Sequence, residues 1–599
     1  MKRLAVLIIV IAVAASITAS TALVRAYEIS PHVSVEINPN SELLSIVYYL
    51  AFGRNDPFVI DRGSYLDEVD AWFRPYRNHP AVAMLRKHLQ NATTISDRDR
   101  MLYTIEADLL HCTEPPELRQ WAGFYDPWTA EYLEVLRDFA EKSNFMEFYM
   151  QHEDYYAEDL NVYKDALKLL PPDEFMGRYI DVSSVRFEFK HPYLVAIHGH
   201  NFNPVRNGTQ IYGAGGMVPL VRRDPQRTPW SYKTARDTMF GLPLNRDYVN
   251  NTGLDQLVYL GFVYHELGHD ITLPGLYGNY RDTYSLRYLE DTIEKNMPYL
   301  ATYDIHFWWD TMMVYEGFAD GWMDFSLASV DPDYAALAMW MQRGWGEFWI
   351  GDMVDVYRKY AALSLEENVP VSEYVDDMLT ELRERVPPEM SESLYQERVP
   401  VTPLGAFDRG AVTSRVVVVY GTQNPDPSGT ESDRKTAELI ADNLRVFYSQ
   451  WNGSVEIVVK ADANVTPEDM ESNLVLVGGP VANSLVMDME NYFPLRFVKS
   501  EAGSWVLEKD PGWETASFVL TGNETDPVVR GELGDVNGAA VIIAIRNPHN
   551  PENYIVWIAG ENRTLTALFL NPTYYLSSYE IWSEKGIEMG FYVQPLASP

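Results

Sequence analysis

The sequence predicts an α+β protein in two parts. Residues 27–405 read as a mainly helical domain with a small sheet, and residues 411–599 as an α/β domain with a largely parallel sheet. Two textures predict this. Apolar residues recur at helical spacing through most of the first part, as in AEYLEVLRDFAEKSNFMEFYMQ at 130–151. After about residue 411, short β-branched runs alternate with helical stretches, the pattern of a sheet built through crossovers. In order, VSVEINPNSELLSIVYYLAF opens with strand-like alternation and turns helical, 60–181 is helical, and 182–221 is β-like. Residues 254–272 and 304–330 read as aromatic-rich helices, 332–397 as acidic helices, and the prolines of 386–405 as a linker. In the second part RVVVVYG (415–421), SVEIVVK (454–460), NLVLVGG (473–479), SFVLTG (517–522), AAVIIAIRN (539–547) and NYIVWIAGE (553–561) are the expected strands, with a helix at 432–451.

Composition narrows the function classes. The chain has 599 residues, 46% of them hydrophobic and 13% aromatic, enough for sizeable cores. Its formal charge is −37, and no run of five basic residues interrupts it, so nucleic acid is disfavoured as a partner. Residues 411–599 carry 12 basic and 25 acidic side chains, a net of −13, and the remainder −24, so the acidity is spread over the whole surface. The lone Cys112 cannot form an intramolecular disulfide. Met1-Lys2-Arg3, the apolar run Leu4–Ala15 and the small residues after it have the layout of a secretory signal peptide over residues 1–26, with cleavage after Ala19, Ala22 or Ala26. The uncharged stretch Leu4–Val24 is also long enough for a retained membrane anchor. Either way the rest of the chain is expected outside the cell. Seven Asn-x-Ser/Thr sequons, at Asn91, Asn207, Asn250, Asn452, Asn464, Asn523 and Asn562, fit an exported glycoprotein.

One motif carries chemistry. Val263-Tyr264-His265-Glu266-Leu267-Gly268-His269 is His-Glu-x-x-His on an apolar helical stretch, and Pro274-Gly275 is expected to end the helix. Spacing of i, i+4 puts His265 and His269 on one face, where both can reach one zinc ion. Glu266, about 100° round the helix, is placed to act as general base on a water polarised by the metal. A third ligand is needed. Glu316 and Asp320 form a second i, i+4 pair on an apolar stretch, with Asp320 able to accept the free N–H of a ligand histidine. His306, Glu290 and Glu294 are rivals, the last two in a charged stretch that reads as solvated. His198 and His200, at i, i+2, share one face of a strand. Tyr303, His306, Tyr357 and Tyr360 are candidate donors to a transition-state oxyanion, and TQIYGAGGM (209–217) is a candidate edge strand for substrate.

Two resemblances extend this reading. The Glu-x-x-x-Asp pair downstream of His-Glu-x-x-His resembles the gluzincin metallopeptidases, the thermolysin-like group. That resemblance implies a zincin-like catalytic domain, Glu316 as third zinc ligand, and Asp320 orienting His265. The chain departs from it at Tyr315 and Ala319, where that group has Asn and Ser; Thr272 and Gly275 exclude the metzincin pattern. Asn40-Ser41-Glu42, Phe73 through His79-Pro80 and the histidine motif also resemble an uncharacterised family of exported prokaryotic proteins. In the second part, Asn473-Leu474-Val475-Leu476-Val477-Gly478-Gly479-Pro480-Val481-Ala482-Asn483 and Asn553 through Arg563 look like the α/β segments of archaeal surface-layer proteins. The Gly-Gly turn lacks the residues of a phosphate loop. The expectation is therefore a secreted zinc peptidase acting on polypeptides and associated with a cell-surface lattice. The alternative is a non-catalytic, zinc-stabilised surface-layer protein.

Overall fold

The computed structural model describes residues 26–216, 251–278, 283–298, 312–449 and 454–596, apart from the single positions 57, 61, 94, 502, 504, 535 and 537. The leader, Tyr303, His306 and the sequons at Asn250 and Asn452 lie outside them. No helix among the described residues is long and apolar enough to cross a membrane. The chain forms two compact units. The first takes in the described residues of Met1–Ala92, Arg98–Asp173 and Val185–Met217, and the second those of Thr93–Asp97, Glu174–Ser184 and Val218–Pro599.

The first unit has one sheet, built from β1 (Ala26–Ser30), β2 (Val33–Ile37), β3 (Val185–His191), β4 (His200–Asn201), β5 (Val205–Arg206) and β6 (Thr209–Gly215). The order is β1-β2-β3-β6-β4, with β5 also on β6; β2, β3 and β6 run parallel. Helix α1 (Pro39–Phe52) starts at Asn38, whose side chain accepts from the N–H groups of Asn40 and Ser41, with proline in the first turn. It is buried almost throughout, and its polar residues are matched inside. Glu42 accepts from the Tyr65 hydroxyl at 2.6 Å and the Tyr193 N–H at 2.7 Å. Burial pushes its carboxyl up to about 7 against those bonds. Asn40 donates to the carbonyls of Leu109 and Cys112, at the end of α2 (Ile95–Leu110).

The glycine-rich strand β6 is an interior strand. β3 lines one side, and β4 and β5 the other. The expectation of an open edge for substrate is thus corrected. The reason is the Asn207-Gly208 turn, with φ of 53° and 82°, which folds 200–206 back along the strand as a hairpin.

The second unit joins a helical layer to a large sheet. The helices are α3 (Thr252–Gly278), α4 (Arg287–Asn296), α5 (Met312–Leu327), α6 (Pro332–Gly344) and α7 (Ile350–Glu367). α3 runs through Pro274 rather than stopping there. A proline inside a helix costs about 3 kcal/mol, and packing just after it holds the helix. Leu276 is fully buried, and Gly275 lies so close to Val375 that a Cβ would sit 3.0 Å away. The expected linker is also folded. Pro388 and Pro403 each lie in the first turn of a short helix, where the missing N–H costs nothing. The second of these helices is α8 (Pro403–Thr413), which packs on the sheet that follows.

That sheet is formed by β7 (Arg415–Tyr420), β8 (Glu456–Ala461) and β9 (Asn473–Val477), followed after the β10–β11 ribbon (Leu495–Lys499, Trp505–Lys509) by β12 (Ala516–Leu520), β13 (Val528–Arg530), β14 (Ala540–Asn547), β15 (Asn550–Gly560), β16 (Tyr579–Ser583) and β17 (Gly586–Phe591). Helix α9 (Pro427–Ser449) links β7 to β8. The order is β13-β12-β17-β16-β14-β15-β9-β7-β8. Only the three pairs from β15 to β8 are parallel; the other five are antiparallel. The expected largely parallel sheet is thus a mixed one. Parallel pairing needs long crossovers such as α9, whereas β14 turns straight into β15 and β16 into β17, and such tight connections force antiparallel strands. The expected strands form, with β10, β11, β13, β16 and β17 in addition. Gly478 adopts φ +101° after β9, and Asn483 donates to the carbonyls of Val419 and Val477 while capping the next short helix, so the Gly-Gly-Pro-x-x-Asn turn ties two strand ends together.

Candidate metal centre

Two helices of the second unit bring the histidine motif and the acidic pair together. α3 and α5 cross where Gly268 meets Ala319: a Cβ on Gly268 would sit 2.8 Å from the Ala319 Cα. Small residues on both sides let the backbones approach, so short side chains one turn away can touch. α5 is held in turn from behind. Gly317 lies against the Trp349 indole and Gly321 against Met353, and the Tyr357 hydroxyl donates to the Phe318 carbonyl at 2.8 Å. Tyr357 is fully buried and committed to that bond, so it is no donor to a substrate.

At the crossing the His265 Nδ1–H donates to Asp320 Oδ1 at 2.7 Å. This bond fixes the ring and points Nε2 away from Asp320. Nε2 lies 3.2 Å from Glu316 Oε2 and 3.2 Å from His269 Nε2, and the Glu316 oxygen is 3.4 Å from His269 Nε2. Three ligand atoms therefore form a triangle with edges of 3.2, 3.2 and 3.4 Å. Nitrogen and oxygen ligands at about 2.1 Å from a tetrahedral zinc ion stand about 3.4 Å apart, so the triangle has the dimensions of one face of such a site. These residues are the described group of His, Cys, Asp and Glu that could hold a metal ion. The donor set suits zinc: two imidazoles and one carboxylate.

The buried imidazoles and carboxylates set one another's charge. Burial favours neutral His265, but Asp320 and then Glu316 outweigh it and hold the imidazole well above its usual range. Burial also opposes ionisation of Glu316, yet His269 and His265 pull its carboxyl well below the usual range. His269 Nδ1 is buried with no hydrogen-bond partner among the described residues. Glu266 is 5% exposed on the same turn.

The other candidates fall elsewhere. Glu290 is fully buried, not solvated as its sequence context led us to expect. It accepts from the Val314 N–H at the start of α5, and burial pushes its carboxyl up to about 8. It therefore caps a helix and leaves the metal face. Glu294 pairs with Arg287 and is partly exposed. His198 and His200 lie in the first unit. His200 Nε2 meets the buried Glu106 at 2.5 Å, and His198 faces Asp99 at 3.6 Å, so both imidazoles are engaged by α2. Sequence reasoning missed Glu347, whose buried carboxyl adjoins Asp320 and is pushed well up by burial and by that neighbour. No spacing rule links residue 347 to residue 320, and only the fold puts them together.

Comparison with known proteins places the whole region in one context. The family model described as "S-layer like family, outer domain" matches residues 141–567, more than two thirds of the chain. The matched span contains α3, α5 and most of the nine-stranded sheet. No curated protein matches the sequence.

Proposed function

The chain belongs to the S-layer like family and so is a cell-surface or extracellular protein, and from that premise we propose that it is a structural component of a surface lattice, braced by zinc. The observation that carries this reading is the extent of the family match, which covers the metal helices and most of the sheet together. His265 and His269 of α3 and Glu316 of α5 hold the ion between two helices that cross at small residues, where a shared metal would lock the crossing. Asp320 keeps His265 in the ligating tautomer. The strongly acidic surface keeps the exported chain soluble before it assembles.

A second reading, a secreted zinc peptidase, is favoured by one observation: among the described residues the triad has two histidines and one glutamate, the ligand count of catalytic rather than structural zinc. Bound zinc would supply Lewis-acid polarisation of a scissile carbonyl. Glu266 would take the proton of the attacking water and return it to the leaving amine. Casein hydrolysis by the zinc-loaded chain, by its chelator-treated form and by Glu266→Gln separates the readings. The structural reading expects no hydrolysis by any of them and a lower melting temperature after chelation. Zinc-dependent hydrolysis that disappears in Glu266→Gln would overturn it in favour of the peptidase.

A further inference from the structure

We propose that β8 is a self-pairing edge through which two copies of this chain join their nine-stranded sheets in an antiparallel, two-fold contact. The proposal deepens the surface-layer reading and rests on it only for the presence of many copies side by side.

The two ends of the sheet differ. β13 is three residues long, and the Arg530 N–H at its end donates to the Asp333 carboxylate of α6 at 3.0 Å, so that edge is closed by a helix. β8 is six residues long and, among the described residues, pairs with β7 alone. It reads Glu456-Ile457-Val458-Val459-Lys460-Ala461, and everything after Glu456 is half-buried. An edge of this length with an apolar centre is a template for another strand unless something blunts it. β8 has no proline or bulge, and its charged residues, Glu456 and Lys460, oppose any strand that does not place complementary charges against them.

The strand also specifies its own register. The Glu456 N–H donates to the Ser414 carbonyl at 2.9 Å, on the β7 side. Backbone groups alternate along a strand, so those of Glu456, Val458 and Lys460 point to β7, and those of Ile457, Val459 and Ala461 point outward. The outward groups have no partner among the described residues. In an antiparallel pair an outward residue must face another outward residue. A two-fold axis can therefore pass through Ile457, Val458 or Val459, and not between residues.

Charge selects among the three. With the axis at Val458, Glu456 faces Lys460 of the second copy and Lys460 faces its Glu456, while Ile457 and Val459 exchange hydrogen bonds. An axis at Val459 would set Glu456 opposite Asp462, and an axis at Ile457 would leave Glu456 opposite Val458. Opposite charges on facing positions stabilise and like charges oppose. The chosen register also continues a row of alternating charge already on that face. Glu456 lies 3.4 Å from Arg415, Arg415 lies 2.8 Å from Asp469, and Asp469 lies 2.6 Å from Lys460.

Sedimentation of the whole chain over a concentration series tests this, beside Glu456→Lys, Lys460→Glu and the double exchange. Wild type is expected to dimerise. Each single reversal should weaken the dimer roughly tenfold or more, and the double exchange, which also costs the Lys460–Asp469 pair, should recover part of it. A second readout is oxidation of Val458→Cys. Facing residues at a non-hydrogen-bonded pair have Cα atoms about 4.5 Å apart, within disulfide reach, and the natural Cys112 is buried. Val458→Cys should therefore give a covalent dimer, whereas Ile457→Cys should not. A wild type that stays monomeric, single reversals that dimerise like wild type, or equal cross-linking at 457 and 458 would overturn the contact. Those outcomes would leave the surface-layer reading standing, because its own test is the hydrolysis and chelation experiment above.

Discussion

His265 is asked to do two things that only one tautomer allows. Its Nδ1–H donates to Asp320 at 2.7 Å, which leaves Nε2 with a lone pair aimed at the point shared with His269 and Glu316. In the proposed zinc site the carboxylate would therefore add to metal affinity without ligating. Asp320→Asn keeps the shape and removes the charge. It should lower zinc affinity by about 10–100-fold, measured by competition with a coloured chelator, with little change in the fold. Unchanged affinity would mean that Asp320 only fills space. At this scale the sequence was informative: the two i, i+4 pairs brought His265, His269, Glu316 and Asp320 to notice, and all four meet in space. Residue-type and spacing arguments failed where the deciding fact was burial. Glu290 looked solvated because its neighbours are charged, yet it caps α5 from inside. Tyr357 looked available and is consumed by a backbone carbonyl.

At the scale of elements, the helices could be read because 3.6-residue periodicity is local, and the central strands because buried β-branched runs are distinctive. Pairing could not. β14 and β15 look like members of a parallel series until one notices how few residues separate them, which permits only a hairpin. β6 looked like an open edge until the Asn207-Gly208 turn is given its weight as a hairpin signal. The crossing of α3 and α5 depends on Gly268 and Ala319, which no helical periodicity singles out. β8 shows the same limit from the other side, since its exposure follows only from its place at the end of the sheet.

Across the molecule, several carboxyls are buried without a full set of charged partners. Burial pushes Glu42 up to about 7 and Glu290 and Glu580 each up to about 8, from an ordinary value of 4.5. Glu580 is held by the Trp582 indole N–H and the Ser577 hydroxyl. Between about pH 4.5 and 8 the folded state holds protons that the unfolded state has released. The stabilisation from these groups is thus fully present below pH 4.5 and is lost as pH rises through 7 to 8. The melting temperature should fall between pH 5 and pH 9, and Glu580→Gln, which cannot ionise, should flatten the fall. A melting temperature that rises over this range would contradict the account. The formal charge of −37 works in the same direction, because self-repulsion grows as carboxyls ionise.

The central claim is that α3 and α5 of a surface-layer protein are joined by a metal held by His265, His269 and Glu316. Zinc content per chain, measured by elemental analysis after equilibration in zinc-buffered solution, tests it most directly. One zinc ion per wild-type chain and none in His269→Ala is the expected result. No zinc in the wild type, or the same zinc content in both proteins, would contradict it.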